Sequence, residues 1–367
     1  MTSENASEYG RLTPMLAALE ALVRCESPTE DVDACRNVVR LASDIATRVL
    51  GTPAEIKEIE GRPVFWWGAQ NPEIVLLAHL DTVWPHGAYQ PLWEVNGDVV
   101  RGPGIFDMKA GFLQALYALK GIEGSVALIA TTDEETGSHA SRELIKDISS
   151  KAKAVLVLEA SLDGKVKTGR KGTSMYQVHV HGVAAHAGLE PEKGVNATTE
   201  IAHIILSLAS LENTKHGTTV VPTVVHSGNT TNTVPDHAVL DIDIRSFAIS
   251  ELERIHAAIT GITAVNPLAR IEVTGGINRP PLQPTATAAL YERVEKVAAS
   301  IGMAPLGSAQ VGGASDGNFA AAAGAQVLDG LGAVGQGAHA PHEWVSAASL
   351  EPRTALLHAL IKDLLDD

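Results

Sequence analysis

Three short, continuously apolar runs constrain the fold of this 367-residue chain more than any other feature. They occupy residues 74–78, 126–130 and 155–158, and helical patterns separate them at residues 108–120 and 138–148. Apolar runs without polar alternation are typical of strands covered on both faces, and their alternation with helices is typical of a parallel sheet. The sequence therefore predicts an α/β fold whose main sheet is mostly parallel.

The middle of the chain has a different pattern. Residues 175–181 and 237–247 alternate apolar and polar side chains, which is typical of an antiparallel sheet with one face exposed to water. Helical patterns at residues 196–211 and 250–260, with a last strand near 270–274, complete the order strand-helix-strand-strand-helix-strand. That order predicts a ferredoxin-like α+β unit.

Turn-rich segments bracket this unit on both sides. We therefore expect residues 173–278 to form a small domain inserted into a larger one, which consists of residues 1–172 and 279–367. In the larger domain, further elements are predicted as helices at 11–24, 29–49 and 285–300 and a strand at 326–329.

Charge and composition exclude several classes of protein. The chain has 28 Lys and Arg against 43 Asp and Glu, a formal net charge of −15, whereas binders of nucleic acid or anionic membranes carry a basic surface. No apolar run reaches the ~18 residues of a membrane span, and the N-terminal residues lack the features of a signal peptide. Two cysteines, Cys25 and Cys35, give no disulfide framework, so we expect a cytoplasmic protein.

Acidic or histidine side chains follow each of the three apolar runs. They are His79 and Asp81 after the first run, Glu134 and Glu135 after the second, and Glu159 after the third. A single polar residue after a strand is ordinary, but three successive cases are not. Because open α/β sheets bind ligands at the carboxyl edge of their strands, we expect the functional site there.

Two glycine-rich segments add further candidates. Asp107 has glycines on both sides, which let the backbone pass close to a ligand, although Asp107 can also cap the helix that follows. Residues 335–343 carry two histidines, His339 and His342. Spacing alone does not choose between these two.

Imidazoles and carboxylates in one cleft suit Zn²⁺, Co²⁺ or Mn²⁺. Three of the acids, Asp107, Glu135 and Glu159, contribute three negative charges. Together with a bound hydroxide, they would be balanced by two divalent cations, whereas uncompensated carboxylates would repel one another. The charge count therefore favours two metal ions.

Two acids outside that count have other expected roles. Asp81 lies two residues after His79 and can accept the second ring N–H of that histidine, which fixes its tautomer. Glu134 is not needed as a ligand, and a carboxylate beside a metal-activated water is a general base.

Ten segments, in order over nearly the whole chain, resemble the co-catalytic zinc family of glutamate carboxypeptidase, acetylornithine deacetylase, succinyl-diaminopimelate desuccinylase and aminoacylase. HLDTVWP at residues 79–85 is most similar to the glutamate carboxypeptidase branch. The others are GPGIFDMKAG (102–111), TTDEETGS (131–138), LVLEAS (156–161), GRKGT (169–173), AAHAG (184–188), NTVPD (232–236), DIR (243–245), GGASDGNF (312–319) and HAPHE (339–343).

The resemblance implies a ligand set and a cis peptide bond after the bridging acid. One zinc would take His79 and Glu159, the other Glu135 and His339, with Asp107 as the bridge. His339 is preferred over His342 because the family's ligand histidine precedes a glutamate by four positions, as His339 precedes Glu343.

The resemblance also implies that residues 173–278 form a lid and dimerisation domain. In a homodimer its His186 would reach the partner's site and stabilise the oxyanion, and an edge strand near 195–225 would offer the contact surface. His179 and His181 share one strand face and are interpreted as surface histidines or as histidines with satisfied hydrogen bonds. Substrate contacts are implied for Arg170, Asn232, Arg245 and Gly313.

The expected activity is a dizinc hydrolase, with Co²⁺ or Mn²⁺ as possible substitutes. It would cleave the amide bond of an N-acyl amino acid or short peptide with a free carboxylate. The alternative is a deacylase of the acetylornithine or succinyl-diaminopimelate kind. An aminopeptidase is disfavoured because related aminopeptidases tend to have Asp at the position of Glu159. A non-catalytic metal-binding or dimerisation module is disfavoured because Glu134 is present with every candidate ligand.

Overall fold

The computed structural model describes residues 12–367. The first helix is predicted to start at residue 11, which lies outside the described part, as does the N-terminal segment that lacks the features of a signal peptide. The described residues form two compact units. Unit 2 consists of Arg170–Leu282 and Gly312–Ala314, and unit 1 contains the rest. None of the described helices is long and apolar enough to cross a membrane.

The helices, in chain order, are α1 (Leu12–Arg24), α2 (Val32–Leu50), α3 (Ala110–Ala118), α4 (Arg142–Lys151), α5 (Ala197–Leu208), α6 (Ile249–Thr260), α7 (Pro284–Ser300), α8 (Asp316–Ala322) and α9 (Ala347–Leu365). The strands are β1 (Glu55–Ile59), β2 (Arg62–Gly68), β3 (Ile74–His79), β4 (Glu94–Asn96), β5 (Val99–Arg101), β6 (Val126–Thr131), β7 (Ala154–Val157), β8 (Val166–Arg170), β9 (Gly172–His181), β10 (Ala185–His186), β11 (Thr219–Ser227), β12 (Thr233–Val234), β13 (His237–Ser246), β14 (Arg270–Arg279), β15 (Ser308–Val311), β16 (Val327–Leu328), β17 (Gly335–Gln336) and β18 (Trp344–Ser346).

The main sheet of unit 1 has the strand order β1-β2-β6-β3-β7-β16. The last four of these strands run parallel, whereas β1 and β2 are joined antiparallel at one edge. Every residue of β3, β6 and β7 is buried, as expected for strands covered by helices on both faces. The predicted α/β fold with a mostly parallel sheet is confirmed.

Helix ends in unit 1 follow local capping chemistry. Helix α2 begins at Val32, because the Asp31 carboxylate accepts hydrogen bonds from the backbone N–H groups of Asp33 and Ala34. Its predicted start at residue 29 is therefore three residues early. Gly51 ends the helix in the left-handed region, at φ 82°.

Unit 2 contains an antiparallel sheet with the order β11-β13-β9-β14. Helix α5 lies between β9 and β11 in the chain and α6 between β13 and β14, which is the connectivity of a ferredoxin-like unit. The inward side chains of these elements form a separate apolar core. The edge strand β11 begins only at Thr219, so the edge strand expected near 195–225 is wrong in its first part, where Asn196 caps α5.

Candidate metal centre

The carboxyl edge of the main sheet brings the predicted ligands together. His79 is the last residue of β3 and pairs in register with Thr131, the last residue of the parallel strand β6. Glu134 follows β6, and Glu159 follows β7, the strand on the other side of β3. Three neighbouring parallel strands therefore end at one place, as the sequence predicts.

Asp107 lies between the two histidines of the site. The Nε2 atom of His79 is 3.2 Å from Oδ1 of Asp107, and Nε2 of His339 is 3.3 Å from Oδ2. His79 is also 3.8 Å from Glu159, and His339 is 3.0 Å from Glu135. One oxygen of Asp107 thus faces His79 and the other faces His339, an arrangement in which one carboxylate could be shared by two cations. The peptide bond after Asp107 is cis.

Two groups of ligand atoms are compact enough to hold a metal ion. In one, donor atoms of His79, Asp107 and Glu135 lie within 4.8 Å of one another, and in the other the same is true of His79, Glu134 and Glu159. Glu134, the expected general base, therefore lies among the candidate ligands, where its side chain is buried.

The acids and histidines of this cluster shift one another's pKa values. His339 donates hydrogen bonds to Asp107 and Glu135, and these bonds raise its pKa to about 10. Burial opposes ionisation of His79, but hydrogen bonds to Asp107 and Asp81 outweigh it and raise the pKa well above the usual value. Burial raises the pKa of Glu135 to about 7. Because divalent cations compete with protons for these donors, the donor set fits metal ions.

Asp81 orients His79 from the side away from Asp107. Its backbone carbonyl lies 3.1 Å from Nδ1 of His79, and its buried Oδ1 lies 3.4 Å from the same atom. The other oxygen, Oδ2, accepts hydrogen bonds from the Thr29 hydroxyl at 2.8 Å and the Glu135 backbone N–H at 3.2 Å. With its Nδ1 proton directed at Asp81, His79 would have its Nε2 lone pair available for a metal ion held together with Asp107 and Glu159.

Glu343 is a site residue for which the sequence analysis predicted no role. Its buried carboxylate accepts backbone N–H groups from Phe106 at 2.8 Å, Asp107 at 3.0 Å and Gly104 at 3.0 Å. The Trp84 indole approaches the same carboxylate at 3.4 Å. Burial raises the pKa of Glu343 to about 7, and the backbone hydrogen bonds oppose that rise. The four-position spacing between His339 and Glu343 is the sequence signal for this residue.

Gly104 shows why the loop before Asp107 requires glycine. Its φ is 66°, in the left-handed region, and a Cβ there would come within 2.4 Å of the Thr82 side chain. The same residue directs its N–H at Glu343. The conformation of the loop that carries Asp107 therefore depends on Gly104 and on the buried carboxylate of Glu343.

His186 and Asn232 come together within unit 2. A two-stranded ladder pairs β10 with β12, and the backbone N–H of Ala187 donates to the carbonyl of Asn232 at 2.9 Å. The exposed His186 ring accepts the N–H groups of Gly188 and Leu189 at its Nδ1, both at 3.1 Å. A ring that accepts at Nδ1 carries its proton on Nε2.

The two candidate arginines hold one short segment of unit 2. Nη1 of Arg170 donates to the carbonyls of Gly313 and Ala314 at 3.0 and 3.2 Å, and the Arg170 side chain is buried. Arg245 donates to the Gly312 carbonyl at 3.3 Å and forms a two-pronged ion pair with Asp243. The structure therefore brings Arg170, Arg245 and Gly313 together.

Both histidines of the last loop are exposed, and it is His339 whose Nε2 lies 3.3 Å from Asp107 and 3.0 Å from Glu135. His339 itself has a left-handed backbone, with φ 61°, a conformation in which histidine is more often found than most residues.

The comparisons with known proteins agree on the family of this chain. The model of peptidase family M20/M25/M40 matches residues 75–363. Carboxypeptidase G2 of Pseudomonas sp. (strain RS-16) is 30% identical over 84% of this chain and 76% of its own length. Succinyl-diaminopimelate desuccinylase of Hydrogenovibrio crunogenus is 26% identical over 94% of this chain and 97% of its own length.

Among solved structures, a tripeptidase from Staphylococcus aureus superimposes with a TM-score of 0.78 at 22% identity, covering 97% of this chain and 99% of that one. That likeness concerns the fold. The family match and the relatives together identify the chemistry: the chain belongs to peptidase family M20/M25/M40 and is a metal-dependent hydrolase of amide bonds.

Proposed function

We propose that this protein is a dizinc hydrolase that releases an amino acid or short peptide with a free carboxylate from an N-acyl or peptidyl substrate. The observation that carries the proposal is the placement of Asp107 between His79 and His339, with Glu134 in the same buried cluster. The 30% identity to a protein named carboxypeptidase G2 supports the same substrate class.

In this proposal the ions are held by the residues that the cluster brings together. His79 and Glu159 would hold one, Glu135 and His339 the other, and Asp107 both. Zinc suits this mixed imidazole and carboxylate set, and Co²⁺ or Mn²⁺ could replace it. Bound ions would supply positive charge that polarises the substrate carbonyl and acidifies water.

Glu134 is the proposed general base. Its buried carboxylate lies with those of the candidate ligands, close to where an attacking water would be held. It would accept the proton of that water as the carbonyl is attacked. It would then deliver the same proton to the nitrogen of the leaving group, so that a neutral amine departs when the C–N bond breaks.

His186 is the proposed oxyanion donor. Because its Nδ1 accepts two backbone N–H groups, the neutral ring offers an N–H donor at Nε2. Donation to the developing oxyanion stabilises the transition state more than the substrate. We propose that His186 acts in the site of the partner chain of a homodimer.

The substrate carboxylate is proposed to bind in unit 2. Arg245 keeps 38% of its side chain exposed despite its pairing with Asp243, so its guanidinium can take a second carboxylate. Arg170 would contribute by holding Gly313 in place, and Asn232 by its position beside His186.

A desuccinylase activity is the second candidate. It is favoured by a relative of that name whose match covers nearly the full length of both chains. The same metal centre would serve, since only the acyl group bound beside it differs.

The first prediction combines a substrate panel with a variant of Glu134. Acyl-glutamates and dipeptides should be hydrolysed faster than N-succinyl-diaminopimelate or N-acetylornithine. Glu134→Gln should keep its metal content but lose ~10²-fold or more in kcat, the usual contribution of general acid–base catalysis.

The exposed Glu143→Gln variant on α4 is the matched control and should behave as wild type. Wild-type kcat in metal-loaded Glu134→Gln would contradict the assigned role. Preference for the succinylated substrate would select the second candidate.

A further inference from the structure

Three histidines meet on the outer face of the sheet in unit 2. His179 and His181 lie two residues apart on β9, so both side chains point to the same face. His237, on the antiparallel strand β13, is in register with His181. The ring centroids are 5.3 Å apart for His181 and His237, 5.7 Å for His179 and His237, and 6.4 Å for His179 and His181.

These separations are close to those of a metal site. Three imidazoles on one tetrahedral zinc have ring centroids about 5 Å apart, since each Zn–N bond is about 2.0 Å long. The strands supply this spacing, because directly opposed side chains on an antiparallel pair begin about 5 Å apart. The rings would have to rotate from their positions in the structure for three nitrogens to converge on one ion.

A hydrogen-bond chain sets the tautomer of His179. The side-chain amide of Gln177 donates to the Asp241 carboxylate at 2.9 Å, so its Oε1 faces Nε2 of His179 at 2.7 Å. An amide oxygen only accepts, hence Nε2 of His179 carries the proton and Nδ1 keeps the lone pair. Carboxylate- or carbonyl-backed imidazoles of this kind are typical of metal-ligating histidines.

An acidic and a basic side chain flank the cluster. Glu272 lies 3.7 Å from Nε2 of His181 and accepts a hydrogen bond from Arg270 at 3.1 Å. Burial lowers the pKa of His181, and the nearby Arg270 and His237 lower it further. A lower pKa favours the neutral imidazole, which is the form that binds metals. Nε2 of His181 is buried and makes no hydrogen bond.

We propose that His179, His181 and His237 form a second metal site, which binds one Zn²⁺ or a similar imidazole-preferring cation on the outer face of the unit 2 sheet. Imidazoles are the ligands that zinc, copper and nickel share. The ion would tie β9 to β13. All three ligands belong to unit 2, whereas the candidate catalytic ligands belong to unit 1, so this site does not depend on the proposed reaction.

The test measures zinc binding on the full, metal-loaded protein and needs no activity assay. Wild type and His237→Gln are dialysed against a series of buffered free Zn²⁺ concentrations, and bound zinc per chain is measured by elemental analysis. Wild type should bind one more Zn²⁺ than the variant. Loss of one of three imidazoles should weaken that site by ~100-fold or more, because loss of a supporting outer partner alone costs 10- to 100-fold.

Three further variants sharpen the result. His179→Asn should lose the same zinc equivalent, and Gln177→Leu should weaken it by ~10- to 100-fold, as expected for a supporting partner. His203→Gln, on the exposed surface of α5, is the control and should bind as wild type does. Equal zinc content and affinity in wild type and His237→Gln would overturn the proposal, as would an equal loss in His203→Gln.

Discussion

At the scale of single residues, the site depends on a carboxylate outside the candidate ligand set. Glu343 receives three backbone N–H groups from the loop that carries Asp107. Each such bond to a charged acceptor contributes about 1.5–3 kcal/mol, so Glu343 stabilises the observed conformation of that loop. The orientation of Asp107 between two histidines is therefore indirectly set by Glu343.

The second prediction tests this positioning role. Glu343→Gln keeps the size of the side chain but replaces one acceptor oxygen with an N–H₂ group that faces backbone donors. We expect lower metal occupancy, lower kcat with a nearly unchanged KM, and a loss of about 1–3 kcal/mol in the free energy of unfolding. Elemental analysis and urea denaturation would measure these effects, and an unaltered metal content would count against the role.

The third prediction separates the two histidines of the last loop. His339→Ala should lower metal content and activity together, because its Nε2 faces both Asp107 and Glu135. His342→Ala should change either quantity far less, since His339, and not His342, is the histidine of this loop that lies against Asp107 and Glu135. Elemental analysis and steady-state kinetics on both purified variants measure these effects. A larger loss of metal and activity in His342→Ala than in His339→Ala would show that His339 is not the ligand.

At the scale of elements, helix α9 holds the loop that follows β16. The buried guanidinium of Arg353 donates to the backbone carbonyls of Gly332 at 3.1 Å, Gly330 at 2.7 Å and Gly164 at 3.1 Å. The N–H of Gly332 in turn donates to the backbone carbonyl of Glu159 at 2.9 Å. The C-terminal helix thereby supports the backbone of a candidate ligand.

The fourth prediction concerns this helix-to-loop connection. Arg353→Met retains the aliphatic length but leaves three buried carbonyls without their donor, so the free energy of unfolding should fall by about 2–4 kcal/mol. The urea midpoint of the metal-loaded protein measures the effect. Arg48→Met, on the exposed side of α2, is the control, and an equal midpoint for the two variants would show that Arg353 does not support the loop.

At the scale of the whole molecule, the proposed homodimer makes the activity depend on two chains. The edge strand β11 carries exposed Val221, Val224 and Val225, and an edge strand offers unpaired backbone groups to a second copy. In a symmetric pair the same patch meets itself. Unit 2 also carries His186, which we propose acts in the partner's site.

The fifth prediction is complementation between two inactive variants. His186→Ala should reduce kcat by ~10²- to 10³-fold with its metal content intact, the usual cost of losing an oxyanion donor. Mixing it with Glu134→Ala should restore part of the activity, because one site of a mixed dimer has both an intact Glu134 and an intact His186. No recovery despite demonstrated subunit exchange, or a fully active monomer by light scattering, would refute the arrangement.

The sequence by itself determined the elements whose signal is local. The buried strands β3, β6 and β7 were predicted within one residue at each end, because an unbroken apolar run is encoded in a few consecutive residues. The polar residues after them followed directly, since parallel strands end at one edge. The family resemblance rests on motifs that are local in the same sense.

Only the tertiary structure decided how distant segments meet. Glu343 binds backbone groups 236 to 239 positions earlier in the chain, and no local pattern encodes such a pairing. The same holds for His237 beside His181, and for Arg170 and Arg245 on Gly312–Ala314. Strand register and hydrogen bonds over long separations depend on how whole elements pack, so they arise with the fold and cannot be found in any short window of sequence.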